Sequence, residues 1–414
     1  MNSFSVKRMS FKSARAETLS IQMVHSGLEG AVYGFMIMAE VIMRREMGAS
    51  PLIIAIFTML GSATNLFSIY FSHILLKYPH KIKLIITLAA LVTRLPMVLF
   101  FFFSGPVSLL VLTGLYYLGD TFIKPVQNIY MKMNYAKTEL GKIFAYSISV
   151  NKIIFIIAVY AFGRWMDTDS SIYVILFSIA GLVSFISFFM LGFVPVNEWV
   201  QEKMSADKMD LFIFPTLIEV FRKNRRFYIY EVAFFIYGGG FMVVLPAVPI
   251  LLVDHLNLAY SVISFGRGVL SAIVIIVFMP LMGKLFDRDP VFVGVLAFFI
   301  LIFHPVAMMG AYYVPNDLAK WFIYLSYIIF GIGMAAVTLC WNIGPMYFAN
   351  SNKEIPQMTS IHVTLTGIRG FIWPVLGYGL MKIHIMLPFI AAILFFAAAV
   401  LIMKSILEKP VSQS

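Results

Sequence analysis

The chain of 414 residues contains a single cysteine, Cys340, so no disulfide framework holds it together and no paired-thiol site is encoded. Charge is scarce too. Only 12% of residues are Asp, Glu, Lys or Arg, about half the share of a water-soluble domain, and too few to coat a globule of this size. Also missing are a Gly-x-x-x-x-Gly-Lys-Ser/Thr phosphate loop, a His-Glu-x-x-His helix and a Gly-x-Ser-x-Gly elbow. These absences argue against ATP-driven pumping and put an integral membrane enzyme last among the readings. The seven histidines are scattered among spans and loops, leaving no metal cluster to read, and no cofactor is expected. The basic head (Lys7, Arg8, Lys12, Arg15) leads into a segment interrupted by His25 and Glu29, so no cleavable signal peptide is expected.

What is present is apolar. Hydrophobic residues make up 61% of the chain, including 40 Phe and 26 Met. A bilayer crossing takes about 20 mostly apolar residues. By that measure spans are expected near 21–43, 51–76, 82–103, 106–131, 141–166 and 170–195, then near 227–253, 260–285, 291–311, 318–347, 356–382 and 386–407. The sequence therefore predicts an all-α membrane protein of twelve transmembrane helices in two pseudo-symmetric six-helix bundles. Its domains are 1–195, a linker 196–226 and 227–414. Within the linker, Leu211–Phe221 is apolar but too short to span, and is expected to lie along the interface with Arg222, Lys223, Arg225 and Arg226 facing lipid phosphates.

The net charge of +11 argues for loops on one membrane face rather than for nucleic acid. With the N-terminus cytoplasmic, cytoplasmic segments carry 21 Lys and Arg and the opposite face 5. That asymmetry predicts cytoplasmic termini, with the protein in the plasma (inner) membrane. A shift of 217 residues aligns Gly114 with Gly331, Tyr130 with Tyr347 and Lys152 with Arg369, a faint repeat that sets one cation at mid-span in each half.

Gly283-Lys-Leu-Phe-Asp287-Arg288, closing span 8, resembles the Gly-x-x-x-Asp-Arg/Lys loop motif of the major facilitator superfamily, although Asp289-Pro290-Val291 replaces its usual ending. Gly367-Ile-Arg-Gly370-Phe-Ile-Trp-Pro374-Val-Leu-Gly377 in span 11 resembles an element that antiporters of that superfamily carry in span 5; span 5 here lacks it. The resemblance implies two six-span halves rocking about a midplane site, with spans 5 and 11 facing one central chamber flanked by Lys152 and Arg369. In physical terms, Gly283 would let helix ends approach and Asp287 would accept from a neighbouring helix's N-terminal amides, forming with Arg288 a conformational latch.

Charges inside spans cost at least about 2.5–3.5 kcal/mol each on insertion scales, so they are expected to face water or one another. Span 4 sets Tyr117, Asp120, Lys124 and Asn128 on one helical face, and Asp120 and Lys124 are spaced to pair. Span 1 aligns His25, Glu29, Tyr33 and Glu40; Glu40 and Glu231 lie near enough to span ends to reach the interface. Arg94 is expected to be structural, bridging to Asp120 or to span 2, and His304 to be a packing histidine. Span 11 aligns His362, Thr366, Arg369 and Trp373. The functional reading is a secondary-active transporter of a small organic anion with proton coupling through Glu29 or Asp120. Arg369, Lys152, Lys124 and Arg267 attract the substrate, and Tyr117, Trp341, Asn342 and Trp373 shape the pocket. Its expected partners are the small-molecule substrate, protons and the lipid bilayer, and the chain is expected to be a monomer. A polyspecific exporter of amphipathic or lipid-like compounds and a non-transporting receptor or scaffold are the alternatives.

Overall fold

The computed structural model describes residues 11–78, 81–135, 139–195, 213–349 and 354–407. Its helices form twelve antiparallel rods. The first half comprises residues 11–45, 51–77, 82–101, 106–134, 140–168 and 170–193 (spans 1–6). The second comprises 225–255, 260–286, 290–313, 316–347, 355–383 and 387–407 (spans 7–12). Ten rods are long and apolar enough to cross a membrane by length and composition; spans 2 and 11 are not among them. Span 2 is interrupted by a 3-10 turn at Thr64–Phe67, and span 11 carries His362, Thr366 and Arg369. The helix Ile213–Lys223 precedes span 7 and ends in Arg222 and Lys223, where an interfacial segment was expected. Residues 196–212 lie outside the described residues.

Local chemistry sets several rod ends. Ser50 caps span 2, with Pro51 opening it; Asp169 accepts from Ser171 N at the start of span 6; Asp289 accepts from Val291 N and Phe292 N at the start of span 9. Gly48, at φ +60°, turns the chain between spans 1 and 2. Span 1 itself breaks after Met36 and resumes at Ala39.

The pseudo-twofold is visible in which rods pack together. Contacts 1 with 5, 1 with 6, 2 with 4, 3 with 4 and 3 with 6 recur as 7 with 11, 7 with 12, 8 with 10, 9 with 10 and 9 with 12. The halves meet through spans 2 and 11 and through spans 5 and 8, pairs that the same operation exchanges. Small residues make these approaches possible: Gly367 and Gly370 rest on Leu66 and Ser62 of span 2, whereas Gly377 rests on Val243 of span 7. The Gly-rich element of span 11 is thus a packing stripe between and within halves. Phe102, Ile157, Leu394 and Leu401 are exposed on the perimeter, where acyl chains replace water as solvent.

Candidate functional site

On the face opposite the termini, called here the far face, the halves are tied together. Arg44 grips Asp254 bidentately, with N–O distances of 2.5–3.0 Å. Arg45 donates to Leu258 O at 2.6 Å and covers the Tyr260 ring, whose hydroxyl donates to Glu46. Asp167 of span 5 accepts from Tyr260 N at 2.7 Å and Ser261 N at 3.0 Å, setting an anion at the N-terminus of span 8. One layer deeper, Arg267 pairs with Glu40.

Inside this closure lies a cavity of about 340 Å³ lined by Tyr33, Glu40, Tyr117, Asn151, Lys152 and Arg267, among others. A larger cavity of about 800 Å³ shares Tyr33, Asn151 and Lys152 with it and runs past Glu29 and Asp120 toward Gln22, Met131 and Phe144 on the terminal side. The described chamber is therefore sealed at one end and extended toward the other.

Its wall in the first half is a buried polar network. Asp120 accepts from Arg94 at 2.5 Å and from the Tyr33 hydroxyl. Arg94 is fully buried and its guanidinium stands 3.9 Å from the Tyr116 ring centroid. Glu29, also buried, accepts from Tyr116 at 3.0 Å and Ser184 at 2.9 Å; among the described residues it makes no ion-pair contact, although Arg94 and His25 lie within electrostatic reach. His25 shares a hydrogen bond with Ser187 Oγ at 2.7 Å. Asn151 donates to Ser26 O, fixing spans 1 and 5 where Gly30 lets them approach.

Lys152 borders all three cavities described in the molecule and has no carboxylate within ion-pair distance among the described residues. Arg267 stands beside it with Nη1 buried and unpartnered. A π-helical turn at Phe265–Leu270 carries Arg267, a local widening common at functional positions.

Other sequence-predicted residues sit elsewhere. Arg369 lines none of the three cavities; it lies against Gly238 and donates to Phe234 O at 2.6 Å, because span 7 has glycine where the guanidinium needs room. Trp373 packs on Gly239 and Phe395, Trp341 donates to Thr366, and Asn342 donates back to Thr338 O. The side chain of Lys124 lies outside the described residues; the described partner of Asp120 is Arg94. Glu40 and Glu231 do not reach an interface. Both are buried, Glu40 against Arg267 and Glu231 against His362 at 2.9 Å, since a partner on another rod offsets burial more fully than a partial approach to headgroups. Gly283 has no atom near enough to need its small size, and Asp287 and Arg288 are exposed. Among the described residues no partner holds the side chain of Asp287 or Arg288, and the carboxylate that caps amides there is Asp289. Sequence reading missed Tyr116 and Ser184, whose only signal was polarity within apolar runs.

Two repeated six-helix halves around a mid-depth chamber closed at one end are the architecture of a secondary-active transporter. A profile of the Major Facilitator Superfamily matches residues 26–374, and the chain belongs to that superfamily of non-enzymatic integral membrane transporters. Its fold is similar to that of the nucleoside transporter NupG (TM-score 0.68, 12% identity, 96% of this chain and 100% of that one). It is also similar to a bacterial homologue of the human lysosomal transporter Spinster in an inward-facing, unoccupied conformation (0.64, 13%, 97% and 100%). A third similar structure is a D-xylose–proton symporter (0.63, 13%, 95% and 97%). No curated protein sequence matches the chain significantly.

Proposed function

We propose that this chain is a proton-coupled transporter of small organic monoanions, with the termini cytoplasmic in the plasma (inner) membrane and the chamber extended toward the cytoplasm. The observation that carries the reading is Lys152, a cation bordering every described cavity without a carboxylate partner. With Arg267 and Glu40 it gives the chamber floor one net positive charge, which a single anionic group neutralises. Asp120 is already paired with Arg94, whereas Glu29 is hydrogen-bonded by two hydroxyls and has Arg94 and His25 near it without an ion-pair contact. Hydroxyls donate to a carboxylate and accept from a carboxylic acid, so Glu29 can change protonation with little rearrangement. It is the proton-coupling residue in this reading, and Asp120 is the fixed counter-charge of Arg94. Arg369, Trp341 and Trp373 pack spans 10 and 11 against their neighbours, and Asn342 is an exposed residue of span 10. Asp287 and Arg288 engage when the terminal face closes.

The test is uptake into proteoliposomes of the full chain. Lys152→Gln is expected to raise the half-saturating anion concentration at least about tenfold, the scale of losing a desolvated charge partner, while Lys152→Arg retains uptake. Glu29→Gln is expected to keep anion exchange but lose accumulation driven by a proton gradient. Unchanged uptake of every anion in Lys152→Gln would overturn the reading.

A further inference from the structure

A cavity of about 290 Å³ opens off the chamber into the second half. It shares Ile37, Glu40, Lys152, Phe155 and Arg267 with the mid-depth cavity, so the two form one space with a charged floor. Beyond that floor the walls are apolar, built by Phe241, Leu245, Leu301, Met308 and Phe330 of spans 7, 9 and 10. None of its lining residues is exposed, which separates it from a groove in the lipid-facing perimeter. His304 faces it with Nδ1 already engaged by Ser326 Oγ at 2.6 Å, so the ring adds surface rather than an open hydrogen-bonding demand on that nitrogen. For scale, an apolar cavity of about 150 Å³ accommodates benzene.

We propose that the transported anion is amphipathic. Its carboxylate lies against Lys152 Nζ beside the Arg267 guanidinium, and an aryl or branched alkyl tail fills the cavity in the second half. This rests on the monoanion reading and narrows it to a substrate class. The head then meets both halves, Lys152 of span 5 and Arg267 of span 8, and the tail meets spans 7, 9 and 10 of the second half. Each methylene transferred from water into such walls is worth about fourfold in affinity. A phenyl-bearing acid should therefore exceed a short aliphatic acid by well over tenfold.

Binding of 3-phenylpropionate, propionate and neutral 3-phenylpropanamide to the purified full chain tests this by thermal shift and equilibrium titration. The native chain is expected to bind phenylpropionate at least about thirtyfold more tightly than propionate. Leu245→Trp, which fills the cavity, should bring that preference below about threefold with propionate binding unchanged. Lys152→Gln should weaken both acids by the same factor and leave the amide alone. No preference for the phenyl acid in the native chain, or a preference that survives Leu245→Trp, overturns the tail assignment while the response to Lys152→Gln still supports the anion reading. Conversely, acids indifferent to Lys152→Gln overturn the anion reading, and with it the head placement. Phe330→Ala provides a second variant should Leu245→Trp fail to fold: it enlarges the cavity and should favour 3-(2-naphthyl)propionate over the phenyl acid. An unchanged order of the two would count against the tail site.

Discussion

Arg94 shows what the membrane demands of a single side chain. It is fully buried, Asp120 meets one of its nitrogens, an aromatic face covers its plane, and Nε and Nη1 have no partner. An ion held this way depends on its counter-ion more than the pair depends on being ionic. Asp120→Asn is therefore expected to destabilise the protein by about 3–5 kcal/mol, and Arg94→Met combined with Asp120→Asn to recover most of that loss. Thermal denaturation of the purified variants checks both; a double variant no better than the single one would mean that the pair's geometry, not its charge balance, matters. The intramembrane charges were legible in the sequence because each carries an insertion cost that function or pairing must offset. Of their pairings, Arg94 with Asp120 was one of the two expected for that arginine, and the structure shows it; the others were not legible. Arg94 and Asp120 are 26 residues apart, His362 and Glu231 131, and Arg267 and Glu40 227, so pairing follows from rod packing and not from spacing along one helix.

At the scale of elements, the twelve rods followed from apolar length, and spans 2–12 fall close to their expected limits, whereas span 1 starts about ten residues earlier than its apolar run. Less visible was which glycine faces what. Gly283 sits in a motif whose logic is close approach, yet a side chain there would meet open space, whereas a Cβ at Gly370 would lie 2.5 Å from Ser62 Cβ and 3.1 Å from Ala63 N. Gly370→Leu is expected to force spans 2 and 11 apart at about 1–3 kcal/mol, lowering the melting temperature, while Gly283→Ala leaves it unchanged. Equal melting of the two variants would remove the packing role assigned to the span 11 stripe. Arg369 failed as a chamber residue for a related reason: Gly238 on the facing rod offers it a niche, and no periodicity within span 11 could reveal that.

For the molecule as a whole, the described ion pairs that join the halves, Arg44–Asp254 and Glu40–Arg267, both belong to the closed end. Arg44 and Asp254 are partly solvated, so their contact contributes about 1 kcal/mol, roughly a fivefold bias toward the observed conformation. Arg44→Ala with Asp254→Ala should shift the population by that factor toward opening at the far face. The readout is reaction of a cysteine introduced at Asn151 with an impermeant thiol reagent supplied from that side; no gain in rate would show that the remaining ties, Glu40–Arg267, Arg45 on Leu258 O and Asp167 on the start of span 8, hold the closure without this pair.

The chain's own sulfur bears on such labelling. Cys340 has no exposed surface, lies beside Pro290 O and is covered by the Tyr230 hydroxyl bonded to its carbonyl. In the folded state the native protein is consequently silent toward aqueous maleimides, and a thiol engineered anywhere along the permeation route gives its signal against an empty background.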